Sequence, residues 1–416
     1  MNNQNSKLNL RDKILLLFLF IGILPGVFPM VTIYIPAIVL SNIGMFGWLM
    51  LTLVFDSKSN AILLKKRNLY PIITLVIMFL LSVIFGNTVL GNRYLDLSVM
   101  FFGVSVIDYY ESNNKLCAIK YLAIMLAPFT LYVWGNTFVQ LLTNPWLVRS
   151  IKSTGDYTEN LISQGIAGYS LIYFVVALAP ILLYTFLTSQ RKVIKIMGGL
   201  LYVFAVVTVI ISNYFTALVC LALSSIVMIF IYIFKSRNWL MLITYIGVVL
   251  VCLILMDEIY SLVNGFVSNM SGGGRTTQRL SAMEDSFWSG LLEDLKEDRW
   301  PTILKSLETF IKNPFFGVSV QDMRYKSIYD EVGGHSHIFD TLAIWGVLIG
   351  CFNIKVIFSP FNKKRLEGNI AVLSIPMLIT ILVLFGFNNA VNSISSIIYL
   401  LYPYICEVTV NENNLC

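Results

Sequence analysis

Apolar segments of roughly 20 residues recur along the whole chain, and they limit its possible folds more than any other feature. A helix needs about 20 apolar residues to cross the hydrocarbon core of a bilayer. On that measure the sequence predicts twelve spanning helices, so the expected fold is all-α and polytopic. They lie near residues 14–35, 38–55, 69–86, 94–107, 117–136, 166–187, 195–212, 214–234, 239–256, 337–358, 370–387 and 389–406.

The composition excludes a soluble globular protein. Hydrophobic residues make up 57% of the chain, charged residues only 12%, and the mean hydropathy is +0.77. Soluble domains have a smaller apolar share and about twice this charged share. The net charge of +6 does not point to nucleic acid as a partner, since much of the lysine and arginine lies in short clusters between apolar runs. Such clusters are typical of cytoplasmic loops that face anionic lipid.

The same clusters predict how the chain is inserted. If the chain crosses the membrane twelve times, five lysine and arginine clusters fall on the same side as the N-terminus. The positive-inside rule makes this side cytoplasmic. The fourth segment is short and contains Asp96, but without it the later clusters would lie outside. Both termini are therefore expected inside. The clusters are Lys58/Lys65/Lys66/Arg67, Lys115/Lys120, Arg191/Lys192/Lys195, Lys235/Arg237 and Lys355/Lys363/Lys364/Arg365.

Three regions follow from this topology. Residues 1–256 form an N-terminal membrane bundle of about nine helices with a short outer loop at 137–165, residues 257–336 form a large extracytoplasmic loop, and residues 337–416 form the C-terminal spanning helices. The large loop is expected to contain amphipathic helices, one near 288–295 and a second that begins near Trp300. In the second, one apolar face is formed by Trp300, Ile303, Leu307 and Phe310.

Arginines are concentrated in the stretches predicted to lie outside, against the positive-inside tendency. A solvated or headgroup-binding surface accounts for any one of them. As a set they favour an anionic ligand, because guanidinium groups bind phosphate oxygens in a bidentate way. A lipid-linked diphosphate at the outer face would need such a cluster. The six are Arg93, Arg149, Arg275, Arg279, Arg299 and Arg324.

The only two histidines, His335 and His337, lie where the large loop re-enters the membrane. Both could simply cap the following helix or contact lipid headgroups. A metal site is disfavoured, because residues two apart at a helix start point to different faces and no partner has ligand spacing. A general base is the sharper interpretation, since an unperturbed imidazole pKa of about 6.5 suits proton removal from a sugar hydroxyl at neutral pH.

Two motifs resemble the bacterial O-antigen polymerase and O-antigen ligase superfamily. The first is Arg299-Trp300, a helix, and then Asn313-Pro314-Phe315-Phe316-Gly317-Val318, similar to the family's Arg, helix, Asn-Pro-Leu-Phe-Gly-Val-Gly run. Ser319 stands where the family often has the last glycine. The second is His335-Ser336 followed by Phe339-Asp340-Thr341-Leu342-Ala343, Gly346 and Gly350, with Trp345 at a position more often charged or small. The spacing to Gly346 matches His335, rather than His337, to the family histidine.

The resemblance implies a GT-C-like membrane glycosyltransferase in the bacterial cytoplasmic (inner) membrane, with its active site on the periplasmic or extracellular side. It would use an undecaprenyl-diphosphate-linked oligosaccharide as donor, and a second lipid-linked repeat unit as acceptor. On the matching residues, His335 would activate the acceptor hydroxyl and Arg299 would hold the diphosphate. Arg275, Arg279 and Arg149 are further family-like arginines, and Arg93, Arg324 and His337 complete the expected substrate-binding set.

No metal and no cofactor are expected, because arginines can stabilise the leaving diphosphate as a divalent ion would. The outside loops contain no Asp-x-Asp pair for a nucleotide-sugar–metal complex. Besides the lipid bilayer, a chain-length regulator is a possible partner. Attack from the opposite face of the anomeric carbon would invert its configuration.

Three functions remain open at this point. A polymerase that joins repeat units into O-antigen or capsule is favoured slightly by the resemblance of the second motif to polymerase members. A ligase that moves finished glycan onto lipid A-core is the nearest alternative. A flippase for the same glycan lipid is less favoured, because alternating access calls for charge at mid-membrane depth and the cationic residues cluster outside.

Overall fold

The computed structural model is helical, with no strand among the residues it describes. These are 8–55, 65–85, 90–144, 147–151, 156–212, 214–255, 257–258, 261, 300–321, 330–389 and 391–410. The helices of the N-terminal part are α1 (Leu10–Val27), α2 (Ala37–Phe55), α3 (Lys66–Phe85), α4 (Leu90–Ser112), α5 (Cys117–Thr143), α6 (Leu147–Ser150), α7 (Asp156–Ser163), α8 (Tyr169–Thr188), α9 (Lys192–Ile211), α10 (Phe215–Lys235) and α11 (Trp239–Ile254).

The C-terminal part begins with one helix of the large loop and continues into the membrane bundle. Its helices are α12 (Trp300–Lys312), α13 (His337–Ile357), α14 (Lys363–Leu366), α15 (Ala371–Phe387), α16 (Val391–Ser396) and α17 (Tyr402–Val410). A 3₁₀ turn at Gly317–Val320 follows α12, and a π-helical turn at Ile397–Leu401 joins α16 to α17.

Nine helical segments in the described part are long and apolar enough to cross a membrane. They coincide with nine of the twelve predicted segments. The other three predicted segments are also helices, namely α1, α4 and α11. However, α1 begins with three charged residues, α4 contains Asp96 and Asp108, and α11 has only 16 residues. The total of twelve crossings stays a prediction.

Apolar side chains cover much of the outer surface of the bundle. Leu200 on α9 is 62% exposed, and Leu240 and Ile254 on α11 are 78% and 77% exposed. Water-soluble monomers rarely expose contiguous apolar surface of this kind, whereas a lipid bilayer is its natural solvent. The surface therefore agrees with the composition.

Ion pairs lie at one end of the bundle. Lys115, between α4 and α5, contacts Asp12 at the start of α1 over 2.8 Å, and Arg365 on α14 contacts Glu407 on α17 over 3.2 Å. The C-terminal part of α1 and the helix α16 line the same cavity, so both lie at one end of the bundle. The start of α1 and the end of α17, which continues from α16, therefore lie together at the other end. We call this the basic end. The start of α13, at His337, lies at the opposite end, because α13 runs from there towards α14.

One spanning helix is broken in its middle. Gly346 in α13 has φ 64° and ψ −171°, a left-handed conformation that interrupts the helical hydrogen bonds. The N–H groups that follow the break are bonded elsewhere: Val347 donates to Pro314 O over 2.7 Å and Leu348 to Phe315 O over 3.3 Å. Irregular backbone at membrane depth requires such partners. The turn after α12 therefore fits directly against the break in α13.

Gly317 completes this contact from the other side. Its φ is 61°, and a Cβ at this position would overlap the carbonyl oxygen of Ala343 in α13. The segments that hold the two sequence motifs are thus in backbone contact, although Gly317 and Gly346 are 29 positions apart in the chain. This contact holds the end of the large loop against the membrane bundle.

We predict that Gly346→Ala destabilises the protein by at least about 1–2 kcal/mol, the usual cost of a left-handed conformation for a residue with a Cβ. The new methyl group would also overlap the Phe315 backbone, which adds to the cost. Thermal unfolding of the purified protein in detergent measures the effect. The matched control is Gly135→Ala on α5, where an added Cβ meets nothing within 4 Å. Equal melting temperatures for the two variants would contradict the role of the break.

Candidate functional site

The candidate site is built on the first turn of α13. Ser336 is the N-cap: its Oγ accepts a hydrogen bond from Phe339 N over 3.2 Å and donates to Phe385 O on α15, also over 3.2 Å. Asp340 closes the cap, because its Oδ2 accepts from Ser336 N over 3.2 Å. A hydroxyl at this position satisfies a backbone N–H that has no partner within the helix. The residues around both histidines are therefore held by side-chain as well as backbone bonds.

Asp340 also joins the membrane bundle to the large loop. It is 1% exposed, and its Oδ1 accepts a hydrogen bond from Ser306 Oγ on α12 over 2.7 Å. The same Ser306 hydroxyl accepts from Gly333 N over 3.0 Å. Thr309, one turn further along α12, donates to the carbonyl oxygen of Glu331. These bonds fix α12 against the segment 331–340, which carries both histidines.

The two histidines are placed differently. His337 is 1% exposed; its backbone N–H donates to Asn388 O over 3.3 Å, and its Nδ1 lies 3.2 Å from Asn389 Oδ1. Its ring packs at 5.3 Å from the ring of Phe385. His335 lies two residues earlier, outside the helix, and is exposed. His335 is thus accessible from outside the bundle, whereas His337 faces the C-terminal helices.

Asn388 extends the network into α8. The residue is 4% exposed, and its Oδ1 accepts a hydrogen bond from Tyr173 OH over 2.7 Å. Tyr173 belongs to a group of three tyrosine rings, with Tyr169 and Tyr214 at ring-centre distances of 4.6–6.4 Å. The wall behind the histidines is therefore aromatic and amide in character.

The structure brings the start of α12 close to the histidine segment. Gly333 lies so close to Thr302 O that a Cβ would overlap it. Thr302 follows Arg299 by three residues, and His335 follows Gly333 by two. Arg299 itself lies outside the described residues, so its side chain is not part of the observed geometry.

The other predicted arginines add no observed contact. Arg275, Arg279 and Arg324 lie outside the described residues, as does the predicted amphipathic helix near 288–295. Arg93 lies in α4 and Arg149 in α6, and only their backbone positions are described. The predicted assembly of arginines around a diphosphate stays a prediction.

Helix α12 begins at the predicted residue, and two hydroxyl side chains outside its predicted apolar face are buried together with Ile303 of that face. Its buried residues are Ile303, Ser306 and Thr309, while Trp300 is 50% exposed. The physical reason is the hydrogen bonding described above, since a buried hydroxyl is tolerated when it has a partner. The helix therefore uses polar side chains to bind the bundle.

Several site residues were not identified by the sequence analysis. Ser306, Asn388, Asn389 and Tyr173 carry the contacts, yet none belongs to either motif or to an arginine cluster. One signal was available: the pair Asn388-Asn389 interrupts a long apolar stretch between two spanning segments. Polar residues at such a position usually face the interior of the helix bundle rather than lipid.

Metal ligands are not grouped in the described part of the chain: no cluster of three or more His, Cys, Asp or Glu side chains occurs there. The chemistry that the described geometry offers is thus an exposed imidazole beside a rigid polar wall.

The fold and the exposed apolar surface define the class: this is an all-helical polytopic membrane protein. No protein-family model and no curated protein matches the chain. The resemblance to the O-antigen polymerase and ligase superfamily rests on the two motifs alone and stays a prediction.

Ser306→Ala should loosen the contact between α12 and α13. The variant loses the bonds to Asp340 and to Gly333 N, and unpairing buried polar groups typically costs about 1–3 kcal/mol. We expect a lower melting temperature and faster proteolysis after residue 300. The matched control is Ser224→Ala on α10, a buried serine whose Oγ donates only over 3.0 Å to Leu221 O of its own helix. An unchanged melting temperature in Ser306→Ala would show that this hydrogen bond does not hold the loop.

Proposed function

We propose that the protein is a polysaccharide polymerase of the O-antigen or capsule type. It transfers a glycan from an undecaprenyl-diphosphate carrier to a hydroxyl of a second lipid-linked repeat unit, without a metal or cofactor. The observation that carries the proposal is the backbone contact between the two family-like motifs: Val347 and Leu348 bond to Pro314 and Phe315. Motifs that act in one site must lie together, and these do.

In the proposed reaction the acceptor hydroxyl oxygen attacks the anomeric carbon of the donor sugar. A new glycosidic bond forms as the bond from that carbon to the diphosphate oxygen breaks. His335 takes the proton of the hydroxyl, and the electron pair of the broken bond leaves on the diphosphate. Arg299 binds the negative charge that develops there, with Arg275, Arg279, Arg149, Arg93 and Arg324 as further candidates. Attack from the face opposite the diphosphate inverts the anomeric configuration.

Exposure supports the choice of His335 over His337. A base must come within hydrogen-bond reach of the acceptor hydroxyl. His335 is accessible at the end of the bundle opposite the basic end, whereas His337 is buried against Phe385 and Asn389. In the proposal His337 acts as a neighbour that shapes the wall of the site.

We predict that His335→Ala lowers the rate of chain lengthening by about 10²–10⁴, the usual contribution of a general base. Arg299→Ala is expected to lower it by about 10²–10³, as removal of a charge-stabilising donor does. The assay supplies purified protein with a lipid-diphosphate oligosaccharide in EDTA and measures glycan length. Lys312→Ala is the control, because it removes a cation from the last residue of α12, the helix that follows Arg299 in the chain.

Three outcomes would contradict parts of this proposal. A wild-type rate of chain lengthening in His335→Ala would contradict the assignment of His335 as the base. A larger loss in His337→Ala than in His335→Ala, with both variants folded, would reverse the assignment of the pair. Activity that EDTA abolishes and a divalent ion restores would make the reaction metal-dependent.

We propose further that the protein lies in the bacterial cytoplasmic membrane with the histidine end outside. In a cysteine-free background, His335→Cys should react with a membrane-impermeant maleimide on intact cells. Lys364→Cys, at the basic end, should react only after permeabilisation. Labelling of both positions from the same side would contradict this orientation, and the cysteine-free parent controls for background.

A further inference from the structure

A polar cavity lies between α1, α2, α4 and α16. Its volume is about 360 Å³, and its lining combines apolar residues and glycines with five serines and two asparagines, after which we call it the polar cavity. Among them are Ser41 and Asn42 on α2, and Asn392 on α16. All of its described lining side chains are uncharged. Hydroxyl and amide groups both donate and accept hydrogen bonds, so the lining suits a ligand rich in hydroxyl groups.

An apolar cavity adjoins the polar one. It has a volume of about 220 Å³ and lies between α1, α5, α8 and α9 and the π-helical turn. Its lining is almost entirely aliphatic and aromatic, and two lining residues on α5, Ala127 and Leu131, are exposed on the outside of the bundle. The cavity therefore opens towards the surface that lipid chains cover.

The two cavities share Ile23, Val27, Ser396 and Leu400 as lining residues. Ser396 and Leu400 flank or belong to the π-helical turn Ile397–Leu401. Such turns are rare and frequently occur at functional sites. The turn lies where the polar lining of α16 gives way to the apolar lining, so the last spanning helix itself marks the boundary between the two chambers.

The polar cavity is at the histidine end of the bundle. Asn392 lies three residues after Asn389, whose Oδ1 is 3.2 Å from His337 Nδ1. The last turn of α1, from Gly22 to Val27, also lines the cavity and lies far from the basic end. An amphiphile in the membrane would thus place its head in the polar cavity and its chain in the deeper apolar one.

We propose that these adjoining cavities bind an uncharged amphiphile, with a hydroxyl-rich head of the glycoside type and a single alkyl or isoprenoid chain. A phosphate-bearing head is disfavoured, because burial of an unpaired charge is strongly unfavourable and the described lining offers no cation. The two cavities together have the size usual for a small-molecule site, about 300–1,000 Å³. This inference goes beyond the proposed glycosyl transfer and does not depend on it.

The test uses wild-type protein in nanodiscs that have never met a glycosidic detergent. n-Dodecyl-β-maltoside is added below its micellar concentration, and native mass spectrometry counts the bound copies. We expect one saturable copy. Dodecyl phosphate, with the same chain, should bind at least about tenfold more weakly because its charge is not paired. The octyl maltoside should also bind at least about tenfold more weakly, because it buries four fewer methylene groups.

Two variants locate the site. Ala123→Phe fills the apolar cavity and Asn42→Leu removes a polar group from the other; each should weaken dodecyl maltoside binding at least about tenfold. The control is Val203→Phe, which places the same aromatic side chain at a position on α9 that is 58% exposed. Melting temperatures establish that each variant is folded.

Equal affinity for the maltoside and the phosphate would overturn the inference, as would several non-saturable copies. Undiminished binding in both folded cavity variants would overturn it too. Since the readout is binding alone, a protein without glycosyl transfer activity could still meet this test. Conversely, loss of the maltoside site would leave the transfer assay unaffected as a test of the proposed function.

Discussion

The structure depends on a break in a membrane helix and on the two carbonyl groups that repair it. At Gly346 the helical hydrogen bonding of α13 stops, and the N–H groups of Val347 and Leu348 turn to Pro314 and Phe315. A backbone donor inside a membrane protein cannot rely on water, so an unpaired one costs several kcal/mol. The turn after α12 supplies the missing acceptors. A segment that the chain topology describes as loop is therefore a structural part of the membrane bundle.

This repair explains why α12 has a defined position. Once the 314–317 turn is fixed against α13, the helix that precedes it lies along the segment 331–340. Ser306 and Thr309 then find partners in Asp340 and Glu331. The exposed His335 and the start of α12 are thus connected through backbone and hydroxyl bonds rather than through apolar packing alone. Directional bonds of this kind hold an exposed segment in one arrangement, which a reactive group needs.

Sequence patterns predicted the large features well, because length and hydropathy are local properties. Nine predicted spans coincide with apolar helices, and α12 begins at the predicted tryptophan. The buried hydrogen bonds and the break in α13, in contrast, depend on contacts between residues far apart in the sequence. Ser306 and Thr309 were not part of the predicted apolar face of α12, because a hydropathy pattern does not show which hydroxyl groups have a buried partner. Gly346 was recognised for its spacing to His335, yet nothing local showed that it would break a helix. The arginine assembly is a hypothesis, because the residues that would form it are mostly outside the described part of the chain.

Charge and polarity are separated along the bundle in a way that bears on both proposals. The ion pairs Asp12–Lys115 and Arg365–Glu407 lie at the basic end, so these four charges are paired. At the histidine end, the described lining of the polar cavity includes five serines and two asparagines among apolar residues, and none of these lining residues is charged. A diphosphate would find no cation among the described residues of that cavity, and in the proposed reaction its charge is bound by the arginines predicted to lie outside. Hydroxyl-rich groups, in contrast, can enter the bundle without an ionic partner. Taken together, the two proposals describe a protein that binds the anionic part of a lipid-linked glycan at the membrane surface and binds neutral, hydroxyl-rich groups between its helices.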